Sequence, residues 1–415
     1  MLSRRDFLKR SSLLAVTPLV PGFVARTATA AEPGKDTILI LIEMTGGNDG
    51  LNTVIPYADD AYQRARPTLA FNQSQVIKVD DYLGLHPALA GLNPLLQKGA
   101  VAIIQGVGYP NPDRSHFESM DRWQAGQVTV PPKDSATGWL ARSVPFLAKG
   151  EGVPVMHVGA EKLPLACRGT SQGVFTLNQD QPFELKLGLP GSELEQSRKK
   201  LLADVSGNGS SLSENTELLP FVQRRHLQTY MSVEKLKEVL KKSNDPNGFN
   251  GYPANSLLAK MNLVASLIEK GFGTRVFYMA LDGFDTHSGQ AATQQQLLQQ
   301  LGDSIGMLFN RLERTGDDKR TLVMTFSEFG RRVYENGSKG TDHGSGSCQF
   351  VVGPAVKAGP CGKHPSLTDL DEGDLKMHTD FRRVYATVLD QWLACDSKTV
   401  LGGQHEHVDF IKKRG

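Results

Sequence analysis

The sequence predicts an α/β fold in which a largely parallel sheet is covered by helices on both faces. Three apolar runs, at residues 37–42, 276–281 and 321–326, have the length and composition of buried strands. Stretches with helical spacing alternate with runs of this kind along the chain. Continuously apolar strands separated by helices are typical of a sheet that is buried on both faces.

The other elements are predicted from similar patterns. Apolar runs of strand length predict the strands, and apolar residues at helical spacing or glutamine-rich stretches, which favour helices, predict the helices. The further predicted strands are 100–106, 153–159 and 349–352. The predicted helices are 116–124, 213–270 with a break at 244–248, 289–314 and 381–394.

The first 30 residues are predicted to be a targeting segment that does not belong to the fold. Residues 3–9 read Ser-Arg-Arg-Asp-Phe-Leu-Lys, which is a twin-arginine signal pattern. An apolar stretch at 13–24 and a small-residue cleavage site at 28–30 follow. The apolar stretch is shorter than the roughly 20 residues that a membrane-spanning helix needs. We therefore expect export by the twin-arginine translocase, a periplasmic or extracellular location, and a mature domain of residues 31–415 without a transmembrane segment.

The charge of the mature chain gives no reason to expect a nucleic-acid partner. The full chain has 46 basic and 44 acidic residues, of which the first 30 residues carry five and one. The mature chain is left with 41 basic and 43 acidic residues, a net charge of −2. Binding to a phosphate backbone usually requires a strongly basic surface.

Polar side chains occupy the loops that follow five of the predicted strands. In an α/β sheet such loops converge on one edge. Carboxylates and imidazoles without a thiol are suitable ligands for Zn²⁺, Mn²⁺, Mg²⁺ or Ca²⁺. The sequence therefore predicts a site for one or two divalent ions. The candidates are Glu43, Asp49, Ser115, His116, Asp282, Asp285, His287, Glu328, Asp342 and His343.

Some of these residues have structural alternatives. Asp49 lies in Gly-Asn-Asp-Gly and is equally typical of a turn. Glu328 is close enough in sequence to pair with Arg331 or Arg332 in a salt bridge. His343 is followed by a glycine and has little to pack against, which favours a ligand.

Ser115 stands between a proline-rich loop and a helix N-terminus, where free N–H groups and the helix dipole favour an anion. Its hydroxyl is either an N-cap or a nucleophile, and the N-cap is the commoner role for a serine at this position. The metal-ligand candidates in the other loops favour the nucleophile, because a metal ion can hold serine as an alkoxide at neutral pH.

The four cysteines form no Cys-x-x-Cys pair, which argues against a zinc ribbon or a thioredoxin-type motif. Two alternatives stay open. Cys348 and Cys361 bracket a predicted strand and turn and could pair in an oxidising compartment. Alternatively, all four are free, since twin-arginine substrates generally fold before export.

Five segments together resemble one protein family. They are Thr45–Asn52, Asn111–His116, Phe284–His287, Ser327–Arg331 and Gly340–Gly344. In combination they resemble the twin-arginine-exported family known as domain of unknown function 1501, over nearly the whole mature chain. That family is grouped with the alkaline phosphatase/sulfatase superfamily. The resemblance therefore implies an alkaline phosphatase-like fold: a mixed, mostly parallel sheet between helices with a metal-assisted hydrolytic edge.

The resemblance also implies which residues bind metal. The implied ligands are carboxylates and histidines at the superfamily's metal positions. They are Glu43 or Asp49, Asp282 or Asp285 with His287, Glu328, and His343. The superfamily has a histidine directly after the later acidic residue, but Phe329 stands there in this chain. Phenylalanine cannot coordinate a metal ion, so one of two metal sites would lose a ligand.

The implied function is an exported metal-dependent hydrolase of phosphate or sulfate esters, on a small-molecule or polysaccharide substrate. Ser115 would be the nucleophile, with Arg114 or a second metal ion stabilising the developing charge and His116 beside it in the catalytic set. The signature of formylglycine sulfatases is absent around Ser115, which disfavours a standard sulfatase. The alternative is a non-catalytic exported binding or assembly protein with a degenerate metal site, which Phe329 favours.

Overall fold

The computed structural model describes residues 36–131, 136–147, 153–159, 162–169, 174–177 and 256–413. The predicted signal segment and the part of the predicted helical region from 213 to 255 lie outside these residues. Among the described residues, no helix combines the length and apolar character that crossing a membrane requires.

A nine-stranded mixed sheet forms the centre of the molecule. Its strands are β1 (Ile38–Thr45), β5 (Val101–Gly108), β6 (Val155–Val158), β7 (Phe175–Leu177), β8 (Val276–Asp282), β9 (Thr321–Phe326), β10 (Ser347–Val352), β11 (Gly359–Cys361) and β14 (Thr379–Asp380). The strand order is β11-β5-β10-β9-β1-β8-β6-β7, and β14 also pairs with β5. Every pairing is parallel except those of β10, which runs antiparallel to β5 and β9. The predicted α/β class, with a mixed and mostly parallel sheet, is confirmed.

Two small sheets lie outside the central one. The first has the order β2-β4-β3, and the second pairs β12 with β13. Their strands are β2 (Val54–Ile55), β3 (Ile77–Lys78), β4 (Gly84–Leu85), β12 (Leu370–Asp371) and β13 (Asp374–Leu375).

Helices cover both faces of the sheet. The α-helices are α1 (Gly50–Thr53), α2 (Asp60–Ala65), α3 (Asn93–Gln97), α4 (His116–Ala125), α5 (Trp139–Leu147), α6 (Leu257–Glu269), α7 (Gln290–Glu313), α8 (Phe381–Thr387) and α9 (Ser397–Leu401). Short 3₁₀ segments lie at Pro87–Leu92, Leu165–Cys167 and Asp317–Arg320. The predicted C-terminal helix is α-helical only as far as Thr387. It continues as a π-helical stretch, Val388–Leu393, and ends where Ala394 adopts a positive φ of 56°.

The alternation of side chains along β1 shows why the sheet is buried on both faces. Ile38, Ile40 and Ile42 enter one hydrophobic core together with residues of α6 and α7. Leu39 and Leu41 enter the other core, which holds all three tryptophans. Because successive strand residues point to opposite faces, a fully apolar strand needs a helical layer on each side.

The cysteines take the second of the two predicted alternatives. All four are free, and three of them, Cys167, Cys348 and Cys395, are buried.

Candidate metal centre

Three adjacent parallel strands bring the candidate loops together at one edge of the sheet. β1 lies between β8 and β9, and all three run in the same direction. Gly46 directly follows β1, Asp285 lies three residues beyond β8, and Glu328 lies two residues beyond β9. The first residue of α4, His116, reaches the same place, because its ring contacts Glu328.

Three imidazole rings surround the carboxylate of Asp285. Its Oδ1 lies 3.1 Å from Nε2 of His343, 3.2 Å from Nε2 of His287 and 3.5 Å from Nε2 of His116. The potential ligand atoms of His116, Asp285 and His343 all lie within 4.8 Å of one another. Nε2 of His287 lies 2.9 Å from Nε2 of His343. We call these four residues, His116, Asp285, His287 and His343, the histidine cluster.

The other nitrogen of each ring, Nδ1, contacts a carboxylate or carbonyl oxygen. Nδ1 of His116 lies 2.8 Å from Oε1 of Glu328. Nδ1 of His287 lies 3.1 Å from Oδ1 of Asp342. Nδ1 of His343 lies 2.9 Å from the carbonyl oxygen of Arg114. Metal-binding histidines in proteins are commonly oriented by such a carboxylate or carbonyl on the nitrogen that does not bind the metal.

These partners leave the cluster with unshared electron pairs that face one another. A carboxylate or a carbonyl oxygen only accepts, so each Nδ1 carries the proton in the neutral ring and each Nε2 carries a lone pair. Nε2 of His116 is buried and has no hydrogen-bond partner among the described residues. Lone pairs directed at one carboxylate repel unless a cation or a proton lies among them. The donor set of His116, Asp285 and His343, with His287 next to it, therefore fits a divalent metal ion.

Burial, hydrogen bonds and neighbouring charges shift the pKa values of the cluster side chains. Partial burial raises the pKa of Asp285, but the hydrogen bond and positive charge of Arg331 and the neighbouring His343 ring outweigh it and bring the pKa to about 2. The hydrogen bond with Glu328 raises the pKa of His116, and partial burial lowers the pKa of His343. Asp285 is thus ionised at neutral pH, and the Glu328 carboxylate makes the His116 ring a more basic ligand.

Arg331 ties the loops of the site together. Its side chain is fully buried, and Nη2 donates to Oδ1 of Asp285 over 2.7 Å. The same guanidinium donates to the carbonyls of Gly46, Gly47, Phe284 and Thr341. Arg331 therefore holds the loops after β1 and β8 against its own loop. The predicted alternative of a salt bridge between Glu328 and Arg331 or Arg332 is wrong, because Arg331 pairs with Asp285 and Arg332 lies beside Asp374.

Glycine is required where the β1 loop meets this arrangement. Gly46 has a φ of +115°, and a Cβ there would lie 2.4 Å from the backbone nitrogen of Asp285. At Gly47 a Cβ would lie 2.3 Å from the ring of Phe329. The glycines that the sequence places after β1 thus permit the close approach of the loops that carry Asp285 and Phe329.

Phe329 forms one wall of the cluster. It is buried, and its ring centroid lies 4.9 Å from that of His116 and 4.7 Å from that of His343. At the position where the resemblance implies a histidine ligand, this chain has an apolar surface against two rings of the histidine cluster. The imidazole of His116 lies on the same side of the cluster, next to Glu328 and Phe329.

Glu328 and Asp342 orient ligands rather than join them. Glu328 is fully buried, and its Oε1 accepts from the backbone N–H of Gly46 while it holds His116. Its Oε2 accepts from Oγ of Ser327 over 3.0 Å. Asp342 accepts from Asn336, which lowers its pKa, and it holds His287. The sequence predicts both residues as metal ligands, and each of them contacts Nδ1 of a cluster histidine.

Glu43, Asp282 and Asp49 do not belong to the histidine cluster. Glu43 lies within β1 and points to the face that carries Leu39 and Leu41, where Gln124 and Tyr278 donate to its carboxylate. Burial raises its pKa to about 7, unlike that of a carboxylate beside a cation. Asp282 is the last residue of β8, before the loop turns towards the cluster.

Asp49 has a structural role. Its carboxylate accepts from the backbone N–H of Asn52 and so caps α1, and it forms a buried ion pair with Arg66. Gln290 donates to the same carboxylate. These contacts agree with the alternative that Asp49 is a structural turn residue. They do not agree with a role as a metal ligand.

The residues on both sides of Ser115 take part in the cluster. The carbonyl of Arg114 holds His343, and His116 is a cluster member. Ser115 is the N-cap residue of α4, but its hydroxyl makes no capping hydrogen bond. The Arg114 guanidinium is directed elsewhere and pairs with Asp374, with Nη2 2.8 Å from Oδ2. These contacts do not agree with the predicted role of Arg114, which is to stabilise the charge that develops on the ester.

Sequence reasoning missed the roles of Arg331 and His116 in building this centre. The sequence suggests only a salt bridge between Arg331 and Glu328. The observed contacts of Arg331 are with backbone carbonyls, which no sequence pattern indicates. His116 was placed in the catalytic set beside Ser115. A signal for its ligand role existed: it opens a helix after a strand of the same sheet, and Phe329 leaves an imidazole missing.

Comparison with solved structures found several that align with most of this chain at low sequence identity. An alkaline phosphatase superfamily protein from Vibrio parahaemolyticus is 10% identical, with a TM-score of 0.38, covering 90% of this chain and 70% of that one. The lipoteichoic acid synthase LtaP from Listeria monocytogenes is 8% identical, with a TM-score of 0.40, covering 91% and 77%. The PsFucS1 sulfatase from Pseudoalteromonas sp. is 10% identical, with a TM-score of 0.35, covering 92% and 70%. Similarity at this level does not bear on activity or ligands.

No curated protein matches the chain. The family comparison is far more extensive, and it agrees with the resemblance that the five sequence segments carry. Residues 36–404 match the family described as "Protein of unknown function (DUF1501)", and the chain belongs to this family.

Proposed function

We propose that this protein is an exported, metal-dependent hydrolase of phosphate or sulfate esters with Ser115 as its nucleophile. One observation carries the proposal. Three imidazole rings, each with its second nitrogen held by an acceptor, converge on the Asp285 carboxylate, and Ser115, the residue before one of these histidines, has a hydroxyl that is not used as a helix cap. A cation site next to an uncommitted hydroxyl is the arrangement that ester hydrolysis by a serine needs.

His116, Asp285, His287 and His343 would hold the ion. A divalent ion bound there would supply positive charge that lowers the pKa of a nearby hydroxyl and offsets the charge that develops on the ester oxygens. The side chains of Asp285, His287 and His116 are 49%, 44% and 30% exposed, so a substrate can reach them. A metal site that is open to solvent is typical of catalysis, whereas structural sites are closed.

Ser115, having lost its hydroxyl proton to water, would attack the phosphorus or sulfur atom. The bond to the leaving alcohol would break as its oxygen takes a proton from water. A second water molecule would then cleave the seryl ester, which releases phosphate or sulfate and restores the serine hydroxyl. The first-turn N–H groups of α4 have no partner within the helix, so they can bind an anionic oxygen of the ester. Arg114 is not needed in this scheme, since Asp374 holds its guanidinium.

The donor set favours one ion and favours Zn²⁺ or Mn²⁺ over Mg²⁺ or Ca²⁺. Three imidazoles suit a transition metal, while Mg²⁺ and Ca²⁺ prefer oxygen ligands. A second ion would need ligands that the other carboxylates do not offer. Glu328 is occupied by Gly46, Ser327 and His116, and Asp49 is occupied by Arg66 and Gln290.

Export by the twin-arginine translocase into the periplasm or beyond is part of the proposal. It rests on the Ser-Arg-Arg-Asp-Phe-Leu-Lys pattern at residues 3–9 and the cleavage site after Ala30. Replacing Arg4 and Arg5 by lysine should abolish the appearance of the mature form in the periplasmic fraction. Unchanged export of this double variant would contradict the proposal.

A non-catalytic binding or assembly protein is the second candidate, and Phe329 is the observation that favours it. The ring of Phe329 packs against His116 and His343 and gives the site an apolar wall in place of a ligand. Such a site would still bind one ion but would lack a second cation for the chemistry.

One assay separates the two candidates. The mature protein, purified without chelator and loaded with Zn²⁺ or Mn²⁺, should hydrolyse p-nitrophenyl phosphate or p-nitrophenyl sulfate, and EDTA-treated protein should not. If the loaded protein retains the metal but hydrolyses neither ester, the hydrolase is rejected in favour of the binding protein.

A further inference from the structure

A buried polar network connects Asp49 with the loops that carry the histidine cluster. Asp49 and Gln290, the first residue of α7, are almost fully buried, and Nε2 of Gln290 donates to Oδ2 of Asp49. The same Nε2 donates to Oε1 of Gln294 over 2.9 Å. At the other end of the amide, Oε1 of Gln290 accepts from two threonine hydroxyls. Gln290 therefore connects Asp49 with these threonines.

The two threonines belong to the loops of the metal centre. Thr286 lies in the sequence between two members of the histidine cluster, and its Oγ1 is 3.2 Å from Oε1 of Gln290. Thr341 directly precedes Asp342, which contacts His287, and its Oγ1 is 2.6 Å from the same amide oxygen. One amide oxygen thus joins the loop after β8 to the loop after β9.

The Asp49 carboxylate determines which end of the Gln290 amide faces these loops. Asp49 already forms an ion pair with Arg66 and accepts from the backbone N–H of Asn52. An ionised carboxylate has no hydrogen to donate, so the NH₂ group of the amide must face it. The carbonyl oxygen is left on the side of the threonines. Both N–H groups and both lone pairs of the amide are then used.

Backbone contacts place Gln290 at the junction of the two loops. Its own N–H donates to the carbonyl of Lys339 over 3.0 Å, and the N–H of Thr341 donates to the carbonyl of Thr286 over 3.2 Å. The side chains of both threonines are almost fully buried, so bulk water cannot replace the amide as their partner. Losing the amide would leave buried hydroxyls without their acceptor, which favours a shift of the loops.

We propose that Gln290 is a positioning residue of the metal centre and that Asp49 acts on the centre by orienting it. The amide would fix the loop that carries Asp285 and His287 relative to the loop that carries His343. The proposal rests on the proposed function, because it gives these loops the task of holding an ion. It assigns Asp49, which the sequence predicts as a ligand, a role behind the ligands.

Gln290→Met tests this role, with Gln294→Met as the matched control. Gln294 lies one turn further along α7, is also buried, and bonds to Gln290 and the Asp49 carbonyl, not to Thr286 or Thr341. We expect Gln290→Met to weaken Zn²⁺ binding about 10–100-fold in a chelator competition. It should also change the visible absorption spectrum of Co²⁺ bound in place of Zn²⁺. Gln294→Met should lower the melting temperature but leave the affinity and the spectrum unchanged.

Thr341→Val is a second variant that keeps the test usable if Gln290→Met does not fold. It removes only the hydroxyl that donates to the amide, and that hydroxyl has no other acceptor among the described residues. We expect it to weaken Zn²⁺ binding and to change the Co²⁺ spectrum in the same sense as Gln290→Met, to a smaller extent.

A measurement on the metal-free protein separates this inference from the proposed function. In EDTA, NMR of the histidine rings should show a shifted Nδ1 signal for His287 in Gln290→Met. The Nδ1 signal of His116, which Glu328 holds, should stay as it is in Gln294→Met. This result supports the positioning role even if the protein neither binds metal nor cleaves an ester. Conversely, metal-dependent ester cleavage by the wild type, with equal effects of the two glutamine variants on Zn²⁺ affinity, overturns the positioning role alone. An unshifted His287 signal also overturns it.

Discussion

Two carboxylates at the same edge of the sheet, Asp285 and Glu43, have opposite environments. Asp285 lies in a loop, is half exposed, has three imidazoles around it and has a pKa of about 2. Glu43 lies inside β1, is buried, has only neutral donors on its carboxyl and has a pKa of about 7. One arrangement is suited to a cation, and the other is satisfied without one.

The difference teaches that position relative to the strand end decides the role of these residues. Within a strand, successive side chains must point to opposite faces of the sheet, so Glu43 points into the layer between the sheet and α4. A residue two or more positions beyond the strand is free to turn across the edge towards neighbouring loops. Asp285, His287 and His343 all lie in such loops and meet there.

The largest expected effect is on ester hydrolysis, which the proposal places at the exposed carboxylate of the comparison, Asp285, with Ser115 as the nucleophile. Ser115→Ala should reduce ester hydrolysis by several orders of magnitude, because it removes the nucleophile while the metal ligands stay in place. Metal content should be unchanged, and the melting temperature should change by a few degrees at most, roughly, because the hydroxyl caps nothing. Ser338→Ala, at an exposed loop serine, is the control. Full activity in Ser115→Ala would exclude the serine as nucleophile.

Arg331→Ala tests whether the loops around Asp285 depend on the buried guanidinium group of Arg331. The substitution leaves the Asp285 carboxylate without its buried partner and the carbonyls of Gly46, Gly47 and Thr341 without a donor. We expect a loss of about 3–5 kcal/mol in the free energy of unfolding, measured by urea denaturation. Arg332→Ala is the matched control, and it should cost less than about 1 kcal/mol because its partly exposed guanidinium lies 3.6 Å from Asp374. Equal losses in the two variants would show that Arg331 does not organise the site.

Glu43→Gln tests the buried side of the comparison through pH. Burial raises the pKa of Glu43 from 4.5 to about 7, so the folded state holds this proton more tightly than the unfolded state does. The native protein should therefore lose stability as pH rises from 4.5 to 7, and the neutral glutamine should not share this loss. Relative to the native protein, the variant should gain up to about 3 kcal/mol between pH 4.5 and 8. Denaturation curves at both pH values measure the gain, with Glu118→Gln, at an exposed site on α4, as control. A stability difference that does not change with pH would mean that Glu43 is ionised in the fold.

The smallest effect should come from a residue that orients one histidine of the cluster without belonging to the cluster. Glu328→Gln keeps the size of the side chain but removes the charge that holds Nδ1 of His116. We expect metal affinity to fall about 10–100-fold, which a competition titration with a chelator can measure. If Glu328 were itself a ligand, as the sequence predicted, the loss would instead resemble that of His343→Ala.

The sequence is sufficient for the sheet and for part of the site, for physical reasons. The apolar runs that predict β1, β8 and β9 are buried on both faces, so composition alone identifies them. Glycine next to Asp and His predicts the loops that carry Asp285, His287 and His343. The exclusion of Glu43 depends on which face of β1 it occupies, and the position of Glu328 behind His116 depends on a helix from another part of the chain. Short-range patterns do not contain such long-range contacts.

The central claim is that the histidine cluster binds a divalent ion, and metal analysis tests it most directly. Protein purified without chelator and loaded with Zn²⁺ or Mn²⁺ should retain about one ion per chain. It should melt at a higher temperature than protein in EDTA. His116→Ala and His343→Ala should both lose the ion and the difference in melting temperature, whereas His378→Ala, outside the cluster, should keep them. The claim is contradicted if the wild-type protein retains no metal and melts at the same temperature in EDTA and in Zn²⁺ or Mn²⁺.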